Sequence, residues 1–208
     1  MSAPRGRFIV LEGGEGGGKS TQAKRLRDHL AAQGRDVLLT REPGGSPLAE
    51  AIRAVVLGRW DEGVDPMTEL LLIFAARAAH LHATIRPALA AGRDVICDRF
   101  VDASHAYQGA GRGLGMAPVA ALEALVLGEL RPDLVLVLDI DPEIGLQRIA
   151  ARDDNNRLDA ESRAFMQRVR AAYLARAAAA PERYRVIDAA RPLAEVGAAL
   201  CAAADTLR

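Results

Sequence analysis

The sequence predicts an α/β fold with a five-stranded parallel sheet flanked by helices. Five short apolar runs alternate with longer segments of helical composition. The runs are continuous in apolar residues rather than alternating, which is typical of parallel strands covered by helices on both faces. Between the first run and its helix stands GGEGGGKS, a glycine-rich turn of the kind that binds phosphate.

The predicted strands are, in chain order, Phe8–Leu11, Asp36–Thr40, Asp94–Cys97, Leu134–Leu138 and Tyr184–Ile187. Between the second and third strands, Thr68–Ala91 is predicted to be one long helix, and Pro87 is expected to kink it near its end. Six polar residues at 152–157 separate two later helical stretches. We expect a loop there, because this segment is too charged to pack in a core.

Composition and charge favour one soluble domain, over residues 1–208, that acts on small molecules. The 27 basic and 27 acidic residues cancel, so no nucleic-acid polymer or anionic membrane is expected as a partner. No apolar run approaches the roughly 18 residues of a membrane span, and residues 1–12 lack a signal-peptide pattern. The two cysteines, Cys97 and Cys201, form no C-x-x-C pair, which fits a reducing cytoplasm.

The glycine-rich turn matches the pattern G-x-x-x-x-G-K-S in its required strand-to-helix context. Glycines let backbone N–H groups converge on a phosphate, and a helix N-terminus adds positive potential. Lys19 is expected to bridge the outer phosphates of ATP and Ser20 to ligand Mg²⁺. The residues expected to bind ATP here are Gly13, Gly14, Glu15, Gly16, Gly17, Gly18, Lys19, Ser20 and Thr21.

Phosphate binding alone leaves open a small-molecule kinase and a nucleotide-dependent switch or binding module. Guanine-specific switches usually carry N-K-x-D, which this sequence lacks, and 208 residues are few for a motor. A kinase is therefore favoured. Incubation with ATP and no acceptor would distinguish the two, because a switch hydrolyses ATP slowly on its own.

From Phe8 to about Ala190 the sequence resembles thymidylate kinase. Besides the glycine-rich turn, the motifs that carry the resemblance are TREPGG at 40–45, FAAR at 74–77, DRF at 98–100, AYQG at 106–109, GRG at 111–113 and RPD at 131–133. The resemblance implies a P-loop fold of the nucleoside-monophosphate-kinase type, with a short lid at about residues 148–160.

The implied activity is phosphorylation of dTMP to dTDP with ATP and Mg²⁺, in dTTP synthesis by both de novo and salvage routes. The implied partners are these small molecules and a second copy of the chain in a homodimer. A kinase of another nucleoside monophosphate is the alternative among enzymes.

Two arginines are expected to hold the monophosphate of dTMP. Arg99 follows a buried strand at the sheet edge where α/β proteins bind ligands, and its planar fork suits a phosphate. Arg53, on the helix after the Glu-Pro-Gly-Gly loop, resembles a second arginine that binds the phosphate. The alternatives are an Arg99 salt bridge to Asp98 and a solvated Arg53.

Arg77 and Phe74 are expected at the thymine base, since they stand three residues apart and share a helix face. The resemblance implies that Arg77 hydrogen-bonds the base edge while an aromatic ring stacks on it. The family's stacking phenylalanine usually stands four residues before the arginine, where this sequence has Ile73. We assign Phe74 to the site, and apolar contact by Ile73 is the alternative.

The resemblance assigns five further residues to the acceptor. Ser104 is expected to pair with the base edge, and Gln108 to contact base or sugar. Tyr107 is expected to lie against the sugar and exclude a 2′-hydroxyl. Glu15 is expected to face the 3′-hydroxyl. Glu42 is expected near the acceptor, with holding a water on Mg²⁺ as a second candidate role.

Several acids and aromatics near the predicted strand ends have competing interpretations. Asp98 is expected to bind Mg²⁺ together with Ser20, and Asp139, which resembles a Walker B acid, is the alternative. Glu12 is expected to support the glycine-rich loop. Tyr173 is interpreted as packing.

The predicted lid is the expected source of a cation for the transferring phosphoryl group, because the cradle itself contains no arginine. Arg152 is the candidate, with Arg157 as a second, and the family position two residues before Arg152 is Ala150 here. The expected catalytic set is Lys19, Arg99, Arg152 and Glu15.

Overall fold

The computed structural model describes residues 5–150 and 161–207, which contain one five-stranded parallel sheet. Its strands are Phe8–Glu12 (β1), Val37–Arg41 (β2), Asp94–Asp98 (β3), Leu134–Asp139 (β4) and Tyr184–Asp188 (β5). They are ordered β2-β3-β1-β4-β5, and every neighbouring pair is parallel. The predicted fold class is confirmed.

Helices follow every strand. They are Lys19–Ala32 (α1), Pro47–Leu57 (α2), Pro66–His80 (α3), Arg86–Ala90 (α4), Val101–Ser104 (α5), Met116–Leu127 (α6), Pro142–Ala150 (α7), Arg163–Ala179 (α8) and Leu193–Ala204 (α9). Helices α2 and α3 both start with a proline after a capping Ser46 or Asp65 side chain. Such starts are typical, because a proline at the first helical position gives up an N–H that has no helical partner anyway.

Two segments widen into π-helical turns, Leu81–Ile85 between α3 and α4 and His105–Gly111 directly after α5. The first lies within the predicted long helix, which runs over residues 66–90, and it ends just before the helix continues through Pro87. Pro87 has no N–H to offer the carbonyl of Ala83, so the regular hydrogen-bond ladder is interrupted there. The second turn carries two residues predicted for the site.

The core lies on both faces of the three central strands. On β1, Phe8 and Val10 belong to the cluster under α3 and α8, whereas Ile9 and Leu11 belong to the cluster under α1 and α9. Strands β1, β3 and β4 are buried almost throughout, as their continuous apolar runs predict. The same expectation is wrong for β2 and β5, which are edge strands with partly exposed residues.

The parallel register brings the carboxyl ends of the central strands together. Leu11 of β1 lies opposite Asp98 of β3, and Arg41 of β2 lies opposite the same residue. Glu12, the last residue of β1, lies opposite Val137 of β4. The loops that leave β1, β2 and β3 therefore meet at one edge of the sheet.

Candidate active site

The glycine-rich loop between β1 and α1 is packed too tightly to accept side chains at two of its glycines. Gly13 has φ +133° and Gly16 has φ +73°. A Cβ on Gly13 would lie 2.3 Å from the carbonyl oxygen of Leu138, and one on Gly16 would lie 2.4 Å from that of Gly145. Both positions need glycine, because a side chain would be strained in conformation and would collide with backbone.

Lys19 folds back over this loop as the first residue of α1. Its Nζ donates to the carbonyl oxygens of Gly13 at 3.1 Å and Gly14 at 2.7 Å. Burial, with the nearby Arg99 charge, lowers the pKa of Lys19. The residue before α1 is Gly18, which has no side chain to cap the helix, so the first backbone N–H groups of α1 can face an anion.

Ser20 and Asp98 meet between α1 and the end of β3. The hydroxyl of Ser20 donates to Oδ2 of Asp98 at 2.7 Å. Hydroxyl and carboxylate oxygens are hard donors of the kind that Mg²⁺ prefers. In the described residues, no group of three or more His, Cys, Asp or Glu side chains could hold a metal ion.

Asp139, the alternative metal ligand at the end of β4, is already paired. Its two oxygens accept from Nε and Nη2 of Arg170 on α8 at 2.7 and 2.8 Å. Within residues 5–150 and 161–207, Asp98 has no such ion pair. The geometry therefore favours Asp98 over Asp139 as the acid open to a cation.

Arg99 lies between the loop and the acceptor side in an unusual backbone conformation. Its φ is +70°, the one positive value at a non-glycine residue in the described ranges. Its Nη1 donates to the carbonyl of Gly13 at 2.9 Å, its Nη2 pairs with Glu15, and its guanidinium lies 5.0 Å from the centre of the Tyr107 ring. Burial alone would lower the pKa of Arg99, but Glu15 and its other neighbours outweigh burial and raise it.

Arg77 is buried and fixed by three partners. Its Nε donates to Glu42 at 2.7 Å, its Nη1 to the hydroxyl of Ser104 at 3.1 Å and its Nη2 to the carbonyl of Phe100 at 2.9 Å. The other oxygen of Glu42 lies 3.1 Å from Nδ1 of His80. Arg77 is thus held in one orientation by residues that follow β2 and β3.

Phe74 does not face the cavity, which corrects its assignment as the stacking ring. It is 2% exposed, belongs to the core cluster and lies under the guanidinium of Arg77, 4.5 Å from the ring centre. Ile73 forms the cavity wall instead. The two positions are about 100° apart on a helix, so the rotation of α3 decides which of them faces the ligand.

Tyr107 and Gln108 are brought to the site by the π-helical turn after α5. The hydroxyl of Tyr107 donates to Glu15 at 2.9 Å, and burial raises the pKa of Tyr107. The side-chain nitrogen of Gln108 donates to Glu69 at 2.9 Å. Both side chains are almost fully buried in the protein, so their polar groups are oriented by fixed partners.

Arg53 and Glu42 flank the loop after β2. Arg53 of α2 donates to the carbonyl of Pro43 at 2.8 Å, and burial followed by the Arg41 charge lowers the pKa of Arg53. Both oxygens of Glu42 are engaged by Arg77 and His80. This arrangement makes Glu42 a support for Arg77, and its candidate role of holding a water on Mg²⁺ stays a prediction.

One open cavity of about 460 Å³ joins the loop to the Arg77 pocket. The predicted residues in its wall are Glu15, Gly16, Gly18, Lys19, Ser20, Thr21, Glu42, Arg53, Arg77, Asp98, Arg99, Ser104, Tyr107 and Gln108. Gly13, Gly14 and Gly17 lie in the loop behind this wall. A nucleotide phosphate at Lys19 and a second ligand at Arg77 would therefore share one space, with Arg99 between them.

Comparisons with known proteins show the family to which the chain belongs. A family model described as thymidylate kinase matches residues 11–200. The chain belongs to the thymidylate kinase family. A thymidylate kinase of Pseudomonas fluorescens is 59% identical over 191 residues, covering 92% of this chain and 91% of that protein. One of Pseudomonas syringae pv. tomato is 60% identical over 195 residues, 94% and 93% of the two chains.

A solved structure has the same fold. The crystal structure of thymidylate kinase from Ehrlichia chaffeensis superposes with a TM-score of 0.79 at 32% identity. It covers 97% of this chain and 99% of that one. The family resemblance seen in the sequence is confirmed over nearly the whole chain.

The lid prediction for this family member falls largely outside the described residues. Arg152 and Arg157 both lie there, so the structure does not test them. The first part of the predicted lid belongs to α7, where Arg148 donates to the carbonyls of Gly16 at 3.3 Å and Ala189 at 3.0 Å. This arginine, which the sequence analysis missed, ties α7 to the glycine-rich loop.

Two further residues have roles that the sequence analysis did not find. Glu12 accepts from the backbone N–H groups of Phe100 and Ala103, so it supports the start of α5 rather than the glycine-rich loop. Tyr173, interpreted as packing, contacts both Glu12 and Arg99 through its hydroxyl. A buried tyrosine needs a hydrogen-bond partner, and that requirement was the available signal for Tyr173.

Proposed function

We propose that the chain is a dTMP kinase that transfers the γ-phosphoryl group of ATP to dTMP, forming dTDP and ADP. The observation that carries the proposal is the single cavity that joins Lys19 and Ser20 to the Arg77 pocket, with Arg99 between them. Membership of the thymidylate kinase family supports the same activity. Phosphoryl transfer requires donor and acceptor to be aligned with their charges neutralised, and this cavity provides for both.

On the donor side, we assign residues Gly13–Thr21 to the phosphates of ATP. The backbone N–H groups of the loop and the uncapped start of α1 face the phosphates, and Lys19 exchanges its two carbonyl partners for phosphate oxygens. Ser20 and Asp98 would hold Mg²⁺, and their hard oxygen donors fit it. Bound there, Mg²⁺ would neutralise charge on the phosphates.

On the acceptor side, Arg77 and Ser104 face the edge of the thymine base, and Ile73 supplies the apolar wall. Arg77 keeps its orientation because Glu42 holds its Nε and Phe74 supports its guanidinium. Gln108 contacts the base or sugar from the π-helical turn. The base pocket is pre-formed, so little side-chain ordering opposes binding.

At the sugar and phosphate, Tyr107 and Glu15 act as a pair. The hydroxyl of Tyr107 donates to Glu15, which leaves the ring of Tyr107 against the space for the sugar and Glu15 toward its 3′-hydroxyl. Arg99 and Arg53 bind the monophosphate. Arg99 then exchanges part of its pairing with Glu15 for phosphate oxygens, and its guanidinium stays charged during this exchange.

The transferring phosphoryl group receives a further cation from the lid in this proposal. Arg152 is the candidate, supported by the absence of arginine from the cradle. Such a cation stabilises charge on the transferring group, as arginine fingers do.

A homodimer is supported by exposed apolar residues on three helices. Leu48 of α2 is 62% exposed, Leu71 of α3 is 52% exposed and Leu125 of α6 is 79% exposed. Helix α3 packs against both α2 and α6, so these residues can contribute to one face. Burying such a face against a second copy would remove apolar surface from water. Sedimentation of the purified chain tests this.

No helix in the described ranges is long and apolar enough to cross a membrane. The cytoplasmic location therefore stays a prediction from the sequence.

The experiment that tests the proposal is a substrate panel. The chain is incubated with ATP, Mg²⁺ and one of dTMP, dUMP, dCMP, dAMP or dGMP, and the diphosphate formed is quantified by chromatography. We expect dTDP to form fastest and ATP to be stable without an acceptor. Faster turnover of another monophosphate contradicts the assigned substrate, and steady ATP hydrolysis with no acceptor effect contradicts a kinase.

A further inference from the structure

The hydroxyl of Tyr173 bridges a carboxyl group and a guanidinium group behind the cavity. Tyr173 lies on α8 and is 2% exposed. Its hydroxyl donates to Oε2 of Glu12 at 3.0 Å and accepts from Nη1 of Arg99 at 3.3 Å. A buried hydroxyl without a partner is costly. If Tyr173 only filled space, an apolar side chain would do so without a hydroxyl to satisfy.

Glu12 holds the backbone on the far side of Arg99. It is fully buried at the end of β1, and its Oε1 accepts from the N–H groups of Phe100 at 2.8 Å and Ala103 at 3.3 Å. The N–H of Arg99 donates to the carbonyl of Leu11 at 2.8 Å. The end of β1 therefore fixes the chain at Arg99 and just after it.

Arg99 needs such support because of its backbone conformation. Its φ of +70° is unfavourable for a residue with a side chain. A residue persists in this region only when its surroundings over-determine it. The contacts from β1 and α8 supply this constraint at the arginine assigned to the acceptor phosphate.

We propose that Tyr173 and Glu12 are positioning residues that hold Arg99 in the conformation that receives the phosphate of dTMP. The inference rests on the proposed function, because it assumes that Arg99 binds this phosphate. Glu12 acts on the backbone of the Arg99 segment, and Tyr173 acts on the guanidinium. Neither touches the substrate.

The chain offers a matched control for the Tyr173 hydroxyl. Tyr184 of β5 also donates from its hydroxyl to a buried carboxylate, at 2.8 Å to Oδ1 of Asp102. Asp102 lies on α5 near Glu12 and is paired with Arg176. Unlike the hydroxyl of Tyr173, that of Tyr184 does not contact Arg99. Phenylalanine at either position removes one hydroxyl and keeps the ring, so both variants lose the same kind of bond.

The test compares Tyr173→Phe with Tyr184→Phe in the full chain. Binding of dTMP and of thymidine is measured by calorimetry, and steady-state kinetics are measured with saturating ATP. Thymidine lacks the phosphate and so does not report on Arg99. For Tyr173→Phe we expect the Kd of dTMP to rise about tenfold, the size expected for one hydrogen bond, while the Kd of thymidine is unchanged. Tyr184→Phe should change neither value.

The outcomes separate positioning from packing. Selective weakening of dTMP in Tyr173→Phe alone, at a melting temperature similar to that of Tyr184→Phe, supports the proposal. Unchanged dTMP binding, or equal weakening of dTMP and thymidine, overturns it. If the wild-type chain makes no dTDP, the proposed function fails. If the wild type is active and Tyr173→Phe matches it, this inference alone fails.

Discussion

Replacing Glu12 by glutamine should change how the stability of the protein depends on pH. The Glu12 carboxyl is fully buried at the end of β1. Burial raises its pKa from 4.5 to about 7, and Asp102 adds to this rise, while Arg99 and the hydrogen bonds from Phe100 and Tyr173 oppose it. Glutamine at this position can still accept from the N–H of Phe100 but cannot titrate.

The sign and size of the effect follow from this raised pKa. The folded protein holds the Glu12 proton more tightly than the unfolded chain does, so the contribution to stability is fully present below pH 4.5 and is lost as the pH rises to about 7. The interval from 4.5 to about 7, at about 1.4 kcal/mol per pH unit, corresponds to roughly 3–4 kcal/mol. Above this range the contribution is constant.

Urea unfolding at fixed protein concentration, from pH 5 to pH 8, measures the effect. As the pH rises, we expect the free energy of unfolding of the wild type to fall relative to that of Glu12→Gln. The fall over this range should be most of the contribution calculated above for Glu12. Glu50→Gln is the control, because the hydrogen bond from Gly45 lowers the pKa of that carboxyl. Its contribution is lost only as the pH falls below about 4.5, so its difference from wild type should be constant over this range. A constant difference for Glu12→Gln would refute the reasoning, since Glu12 would then already be ionised at pH 5.

Three further predictions concern catalysis. Lys19→Ala should lower kcat by at least about 10²-fold, whereas the exposed second lysine, in Lys24→Ala, should give wild-type kinetics; equal kinetics for both would contradict the phosphate role. Tyr107→Ala should reduce the preference, measured as kcat/KM, for dTMP over ribothymidine monophosphate, whereas Tyr107→Phe should retain this preference. If the preference is unchanged in the alanine variant, another residue selects the sugar. Arg152→Ala should lower kcat by about 10³-fold with little change in dTMP affinity. If Arg157 shares the task, the double variant Arg152→Ala/Arg157→Ala should lose more kcat than either single variant. A double variant with kcat within a few-fold of wild type would show that the lid supplies no catalytic cation.

The strands of the sheet were predictable because each central strand is a short continuous run of apolar residues. Strands β1, β3 and β4 are short apolar runs, and each is buried in the centre of the sheet. Strand β2 also opens on an apolar run, Val37–Leu39, but it lies at an edge and is only partly buried. Strand order depends on long-range packing, so a run of apolar residues does not reveal whether its strand is central or at an edge.

The site was predictable where its parts are contiguous in sequence, as in the glycine-rich loop. The choice between Ile73 and Phe74 was different, because it depends on the rotation of α3 by a fraction of a turn. That rotation is set by packing across the molecule. The partners of Arg99 were also hidden, since Tyr173 comes from a helix 74 positions further along the chain.

The acids at the carboxyl edge of the sheet differ in their partners, and this difference bears on our assignment of Asp98 to the metal. Phosphates bind poorly beside uncompensated carboxylates, yet several strands end at or next to an acid. Asp139 is neutralised by an arginine of α8, and Glu42 by an arginine of α3. Glu12 is buried with a pKa of about 7, which removes part of its charge near neutral pH. Asp98 instead has the Ser20 hydroxyl as its hydrogen-bond partner. It lies near the charges of Lys19, Arg53 and Arg99, but among the described residues no direct ion pair holds the charge of its carboxylate. A divalent cation arriving with ATP would neutralise that charge and the phosphates together, so the pairing of the other acids favours Asp98 as the metal ligand.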